Sequence, residues 1–296
     1  MAKRTFAGPL LALSAGIMWS FGSVTVRFAT EADVFQYLLW RCAGLVVAME
    51  IIALMMSGRL ILPRLLKLDR LDIAVAVSIL TASIMYIFAV KTTTVANAVF
   101  YSSTAPLHAA ILGRIVLGER IGPAGTAAVV LALIGIAVMG WGDFGAGNLI
   151  GNLAALFCAF SFATYSVLIR LRPDRDWMPA LVAYALLGIV ISAVMTSVNG
   201  RNLMLPPLDL SLALVHGAVL IGIGTMLFNY AARVVPAVGL TVLVQSEMIF
   251  APLWVYLLLN EVPRVATMIG GGIILAAILV RATAASPAVL PVKAAT

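Results

Sequence analysis

Residues 122–141 read Gly-Pro-Ala-Gly-Thr-Ala-Ala-Val-Val-Leu-Ala-Leu-Ile-Gly-Ile-Ala-Val-Met-Gly-Trp, a run without a charge. About 20 such residues, rising 1.5 Å each as a helix, cross the ~30 Å hydrocarbon core of a bilayer. The run is continuous, whereas a membrane β-strand alternates apolar and polar positions over about ten residues. Lipid cannot satisfy exposed backbone N–H and C=O groups, so an uninterrupted apolar run is predicted to be a helix. The chain has 296 residues, 63% hydrophobic and 10% charged. Soluble domains carry roughly 25% charged residues, so a soluble, disordered or collagen-like chain is excluded.

Ten segments of this kind are predicted, at 8–28, 34–56, 71–90, 95–117, 122–141, 147–170, 178–198, 210–230, 237–259 and 264–282. Breakers separate them: Pro63, Gly122-Pro123, Gly142 to Gly147, Pro173, Pro179, Asn199-Gly200, Pro206-Pro207, Pro236 and Pro263. The first run follows Lys3 and Arg4 in the manner of a cleaved leader. It is read as a span because it is of span length and a matching segment recurs near 152–170. With the N-terminus inside, the inner loops receive 14 of the 19 basic residues and the outer side 5. That bias predicts both termini in the cytoplasm. It also makes the +7 net charge a topology signal, with no nucleic-acid partner expected. Cys42 and Cys158 lie in apolar runs and imply no disulfide framework.

A shift of 142 positions aligns two halves without a gap over about fifty residues. Lys91 falls on Arg233, Leu117 on Leu259, Glu119 on Glu261 and Val138 on Val280. Five spans per half is an odd number, so the second copy enters the membrane from the opposite side. The expectation is an all-α integral membrane protein: ten transmembrane helices in two five-helix inverted repeats, 1–142 and 143–284. A disordered tail follows at 285–296. Inverted repeats support alternating access to a site between the halves.

The first half contains Ala105-Pro106-Leu107-His108, then Leu117-Gly118-Glu119-Arg120; the second contains Ser246-Glu247-Met248-Ile249-Phe250-Ala251-Pro252, then Leu259-Asn260-Glu261. The pattern resembles the EamA-type members of the drug/metabolite transporter superfamily, whose repeat carries Glu-Pro near a helix centre and Gly-Glu at its end. Met18-Trp19-Ser20-Phe21 is similar to that family's first helix. Met248 follows Glu247 where the family has proline, and Ala105 stands where the first glutamate would be. The resemblance covers about residues 8–282. It implies ten helices, cytoplasmic termini and export of small metabolites, with aromatic or neutral amino acids the nearest class. Multidrug or other metabolite transport stays open within the superfamily, as does an ion channel outside it.

Polar side chains inside a bilayer are expensive and therefore informative. In the fourth span Asn97, Tyr101, Thr104 and His108 fall at i, i+4, i+7 and i+11, one helical face. The stripe is read as facing a pathway; interhelical hydrogen bonding is the other reading. The ninth span offers Thr241, Gln245 and Glu247. Glu247 is a candidate for proton coupling or for a structural hydrogen bond. Trp19, Ser20, Ser83, Tyr86 and Tyr165 complete the candidate pathway; the aromatics could hold an amphipathic substrate, with packing or interfacial anchoring as their other reading. Arg41 and His216 are expected nearer the ends of their spans, where they could snorkel or pair. Pro106 and Pro252 should kink their helices and are candidate hinges.

No Gly-x-Ser-x-Gly, His-Glu-x-x-His or Walker A motif is present. Two histidines and no cysteine cluster point away from a metal site. The expectation is a monomer without cofactor or catalytic residues, whose partners are a small-molecule substrate and the lipid bilayer.

Overall fold

The computed structural model describes residues 2–118, 123–143, 149–172, 175–232 and 243–283. The helices, in chain order, are α1 (Ala2–Phe28), α2 (Val34–Ser57), α3 (Arg70–Thr92), α4 (Val95–Ser102), α5 (Ala105–Val116), α6 (Pro123–Asp143) and α7 (Leu149–Arg170). They continue with α8 (Met178–Val198), α9 (Pro207–Val215), a π-helical segment (His216–Ile223), α10 (Gly224–Ala232), α11 (Ser246–Leu259) and α12 (Val265–Thr283). A 3₁₀ helix, Leu62–Lys67, joins α2 to α3. No strand occurs among the described residues.

Among the described residues, six helices are long and apolar enough to cross a membrane: Gly8–Phe28, Val34–Ser57, Arg70–Thr92, Leu149–Arg170, Met178–Val198 and Pro207–Ala231. Thr126–Trp141, Ser246–Leu259 and Val265–Val280 are shorter apolar helices. Large apolar side chains face outward along these rods, among them Ile115, Leu133, Val190 and Leu257, as a lipid-facing surface requires. The predicted tail 285–296 and Thr241 lie outside the described residues.

Helix ends follow the local sequence. Asp33 caps α2, its carboxylate accepting from Gln36 N while Gln36 returns a carbonyl to Asp33 N. Asp69 and Asp72 form the same reciprocal box at the start of α3. Thr94 caps α4 through Asn97 N.

The fourth predicted span is two helices, which corrects the single face drawn through its polar stripe. Pro106, in the first turn of α5, has no N–H to give Ser102, and its ring crowds that carbonyl. The chain breaks at Ser103-Thr104. Leu107 N turns to Thr104 O at 2.9 Å, so Ser103 O receives no helical donor from it. In the other half the break falls at Gln245, seven positions before Pro252. Helix α11 runs through Pro252, so that proline does not mark the break.

Packing partners correspond between the halves. Helix α2 packs on α8, α6 on α12 and α4 on α11; α3 lies on α7 as α10 and the π segment lie on α1; α4 and α5 lie on α7 as α11 lies on α1. One contact sets the depth of the π segment. A Cβ on Gly217 would overlap the Arg41 carbonyl of α2, so only glycine permits this backbone approach.

The two ends of the bundle are tied differently. At one, Glu261 Oε1 accepts from Val95 N at 2.7 Å, and Glu261 Oε2 pairs with Arg27 Nε at 3.3 Å. Arg27 Nη2 also donates to Thr93 O, and Lys91 Nζ to Ala29 O at 2.8 Å. Beside them Asp209 accepts from Glu31 N and Ala32 N, and Arg201 pairs with Asp33 at 3.4 Å. At the other end Arg64 pairs with Asp176 at 2.8 Å, and Arg175 bridges Asp69 and Asp72. The Arg175 guanidinium holds the Asp69 carboxyl down to about 2 from its ordinary 3.8.

Candidate functional site

The two breaks meet. Gln245 Nε2 lies 3.4 Å from Ser103 O, the carbonyl left without a helical donor. These residues are 142 apart, the offset of the sequence repeat. Beside this contact opens a cavity of about 170 Å³, lined from α1, α2, α3, the α4–α5 break, α7, α8, the π segment, α10 and the Gln245 break.

Five of the sequence candidates line it: Trp19, Ser83, Tyr86, Gln245 and Glu247. Tyr86 Oη donates to Glu247 Oε1 at 3.2 Å, tying α3 to α11. Phe162 crosses edge-to-face with Trp19 at 6.3 Å and also lines the cavity. The wall is therefore mostly aromatic and aliphatic with a few convergent polar groups, the usual make-up of a small-molecule site.

The polar stripe of the fourth span does not line the cavity. Asn97 is fully buried, accepts from Thr267 Oγ1 of α12 at 2.7 Å and lies 3.4 Å from Thr93 Oγ1. Tyr101 is buried in the apolar core with its hydroxyl beside Gly140 of α6. Thr104 Oγ1 donates to Tyr101 O at 2.7 Å. His108 Nδ1 sits 3.0 Å from Thr104 O, and its ring meets Phe160 edge-on. Asn97 thus bonds across to α12 and His108 packs on α7, whereas Thr104 bonds back along its own chain; none of the four lines the cavity. Within α4 the Asn97–Tyr101 face packs on α12 and α6, so the Val99 and Ser102 positions of that helix meet the cavity; beyond it the break turns Ser103 and Ala105 there and Thr104 and His108 away. Ser20 is likewise engaged in packing, its hydroxyl accepting from Trp254 Nε1 at 3.0 Å. Tyr165 is buried beside Phe162, off the lining.

A family comparison decides the identity. The EamA-like transporter family matches residues 6–141 and again 149–283. The chain belongs to the EamA-like transporter family. Protein RarD of Escherichia coli (strain K12) is 28% identical over 244 residues, covering 78% of each chain. Protein RarD of Salmonella typhimurium is 28% identical over 243 residues, covering 78% of this chain and 79% of that one. A solved crystal structure, 18% identical, superposes with a TM-score of 0.69 over 94% of this chain and 98% of that one. At that identity the likeness speaks for the fold alone.

In this EamA-like chain two functional candidates sit deeper than the sequence suggested. Arg41 and His216, expected nearer span ends, are 3% and 1% exposed, and both line the cavity. His216 Nδ1 is 2.9 Å from Tyr37 Oη and 3.1 Å from Thr25 Oγ1, a cluster joining α1, α2 and the π segment. Gly217 and Gly224 let this stretch pack closely: a Cβ on the first would overlap the Arg41 carbonyl and on the second Trp19 Nε1. The π segment itself had no signal. Such widened turns recur at functional sites because they displace side chains from the regular helical pattern. Among the described residues no group of three potential metal ligands occurs.

Proposed function

We propose that this EamA-like protein is a secondary transporter that exports small amphipathic metabolites, with neutral and aromatic amino acids as the substrate class. Ten spans in two inverted repeats rock about the central cavity. The carrying observation is the cavity at the meeting of two helix breaks related by the 142-residue offset. Broken spans at the interface of inverted repeats are where secondary transporters bind substrate, because irregular backbone is tolerated only inside protein or against a cavity. Trp19, Phe162 and Tyr86 supply apolar surface, with polar tips on Trp19 and Tyr86, suited to an aromatic or aliphatic side chain. The basic-residue bias supports cytoplasmic termini. The Glu261 end is then the outer one, and the Arg27–Glu261–Val95 ties join both halves there.

Counterflow in proteoliposomes with labelled amino acids and amphipathic drugs, with and without a proton gradient, tests this. Saturable exchange of at least one neutral or aromatic amino acid is expected. No exchange of any panel member, in vesicles where a control transporter works, overturns the reading.

A further inference from the structure

Arg41 is the feature that neither packing nor topology explains. It stands on α2 seven positions after Val34, about two helical turns into the span. It is 3% exposed, lines the cavity, and takes part in no ion pair found among the described residues. Its Nε and Nη2 are buried without a hydrogen-bond partner. Those two nitrogens form one edge of the guanidinium, with N–H bonds running side by side. That edge matches the two oxygens of a carboxylate in a bidentate pair.

A second observation points the same way. Trp19 Nε1 is also buried without a partner, and it too belongs to the cavity wall. Each buried side-chain polar atom without a partner on a lining residue is an N–H donor, so the unmet demand in the cavity is for an acceptor. Its carboxyl, Glu247, is bonded to Tyr86 instead. A buried guanidinium without an anion is strongly disfavoured, and so is a stranded N–H. An arriving anion with two coplanar oxygens relieves the guanidinium.

We infer that Arg41 is the carboxylate receptor of the cavity, gripping the substrate's carboxylate through Nε and Nη2. The site is thereby specific for small monocarboxylates that carry an apolar group. Amino acids qualify through the α-carboxylate; their amides and decarboxylated amines do not. This rests on the transport reading and adds the recognition chemistry to it. The side chain has several rotatable bonds, and no hydrogen bond fixes the Nε–Nη2 edge, so it is free to turn onto the ligand.

The test compares L-phenylalanine, 3-phenylpropionate, L-phenylalaninamide and 2-phenylethylamine. Binding is read by thermal shift of the purified protein, and exchange is read by counterflow. The two carboxylates should bind at least ~10-fold more tightly than the amide and the amine, the factor expected for a charge-assisted bidentate pair. Arg41→Gln should bring the ratio near one, and Arg41→Lys should leave an intermediate ratio. Equal binding of all four ligands by the wild type, binding of none, or an unchanged preference in Arg41→Gln overturns the inference. Should Arg41→Gln fail to fold, the wild-type series and Arg41→Lys decide it. Exchange of carboxylate and amide alike overturns Arg41's role and leaves transport standing; exchange of nothing in the wider panel overturns transport, while the binding series still judges Arg41.

Discussion

The break at 103–105 and the break at 245–247 are 142 positions apart and open the chain at matching depth, yet they carry different chemistry. The first has proline just beyond it and ends in Ala105. The second has no proline until Pro252 and ends in Glu247, bonded to Tyr86. Both Ala105 and Glu247 line the cavity. The same contrast holds one layer out. Val75 sits in the regular helix α3, while its repeat counterpart Gly217 sits in a π segment pressed on the Arg41 carbonyl. The framework is duplicated, while each charged group of the cavity exists once. A symmetric frame can rock between two equivalent arrangements, whereas recognition of one small molecule needs only one copy of each contact.

The contrast breaks most severely at Gly217. Gly217→Val puts side-chain atoms into the Arg41 carbonyl, and backbone cannot yield as a side-chain tip can. Overpacking of this kind costs about 1–3 kcal/mol and more where backbone must move. The yield of folded, monodisperse protein in detergent should fall sharply. Val75→Ala in the other half removes two methyl groups and should remain foldable. Equal yields for the two variants would mean that the π segment tolerates a side chain and that the asymmetry has no structural consequence.

Cysteine labelling sharpens the comparison at the first break. In a background lacking Cys42 and Cys158, Ser102→Cys should react with a water-soluble thiol reagent, and Thr104→Cys should not. Ser102 lines the cavity and Thr104 is 1% exposed with its hydroxyl on Tyr101 O. The reverse pattern would restore the stripe as the pathway face.

The stripe shows where sequence reading stops. The apolar runs announced the helices, because continuous hydrophobicity of span length has few structural alternatives. The charged coincidences Lys91/Arg233 and Glu119/Glu261 announced the internal repeat. Asn97 and Tyr101 do share a face of α4, but that face packs on α12 and α6, while Val99 and Ser102 meet the cavity. Pro106 then redirected the chain, and the second break at Gln245 has no proline to announce it. Arg41 was misplaced for another reason. A basic residue about 10 Å into a span is within snorkelling reach of the interface, so only the cavity at that depth tells the two fates apart. Trp19 and Tyr86 line the cavity while Tyr101 and Tyr165, also read as pathway aromatics, pack in the core, so residue type alone did not separate lining from packing.

At the second break, Glu247→Gln keeps a carbonyl oxygen for Tyr86 Oη, so it should cost under about 1 kcal/mol of stability. Glu247→Leu strands that hydroxyl and should cost about 1–3 kcal/mol. Melting in detergent should therefore rank the wild type and Gln together above Leu. Equal loss in Gln and Leu would assign the role of Glu247 to its charge rather than to the Tyr86 bond.

The smallest effect tests whether single-copy chemistry extends to the bundle ends. Both ends use an aspartate capping box, at Asp33 and at Asp69, and each aspartate pairs with an arginine from the other half. Arg201 stands 3.4 Å from Asp33 and its side chain is 53% exposed, whereas Arg175 reaches Asp69 at 2.6 Å and bridges to Asp72. The Asp69 carboxyl titrates at about 2 when folded against 3.8 ordinarily, because Arg175 bonds to its charged form. A depressed carboxyl pKa stabilises the fold in full above the ordinary value, and the contribution fades as pH falls through the folded value. The melting-temperature gap between wild type and Arg175→Ala should therefore be widest above pH ~4 and narrow toward pH ~2. Exposure of the pair keeps the gap small at any pH, and salt should shrink it further. Arg201→Ala should follow the wild-type curve through this window. A gap for Arg175→Ala that stays constant from pH ~5 to ~2 would mean that Arg175 acts by packing on Trp177, whose ring lies 5.3 Å from its guanidinium, and that the Asp69 bond contributes nothing.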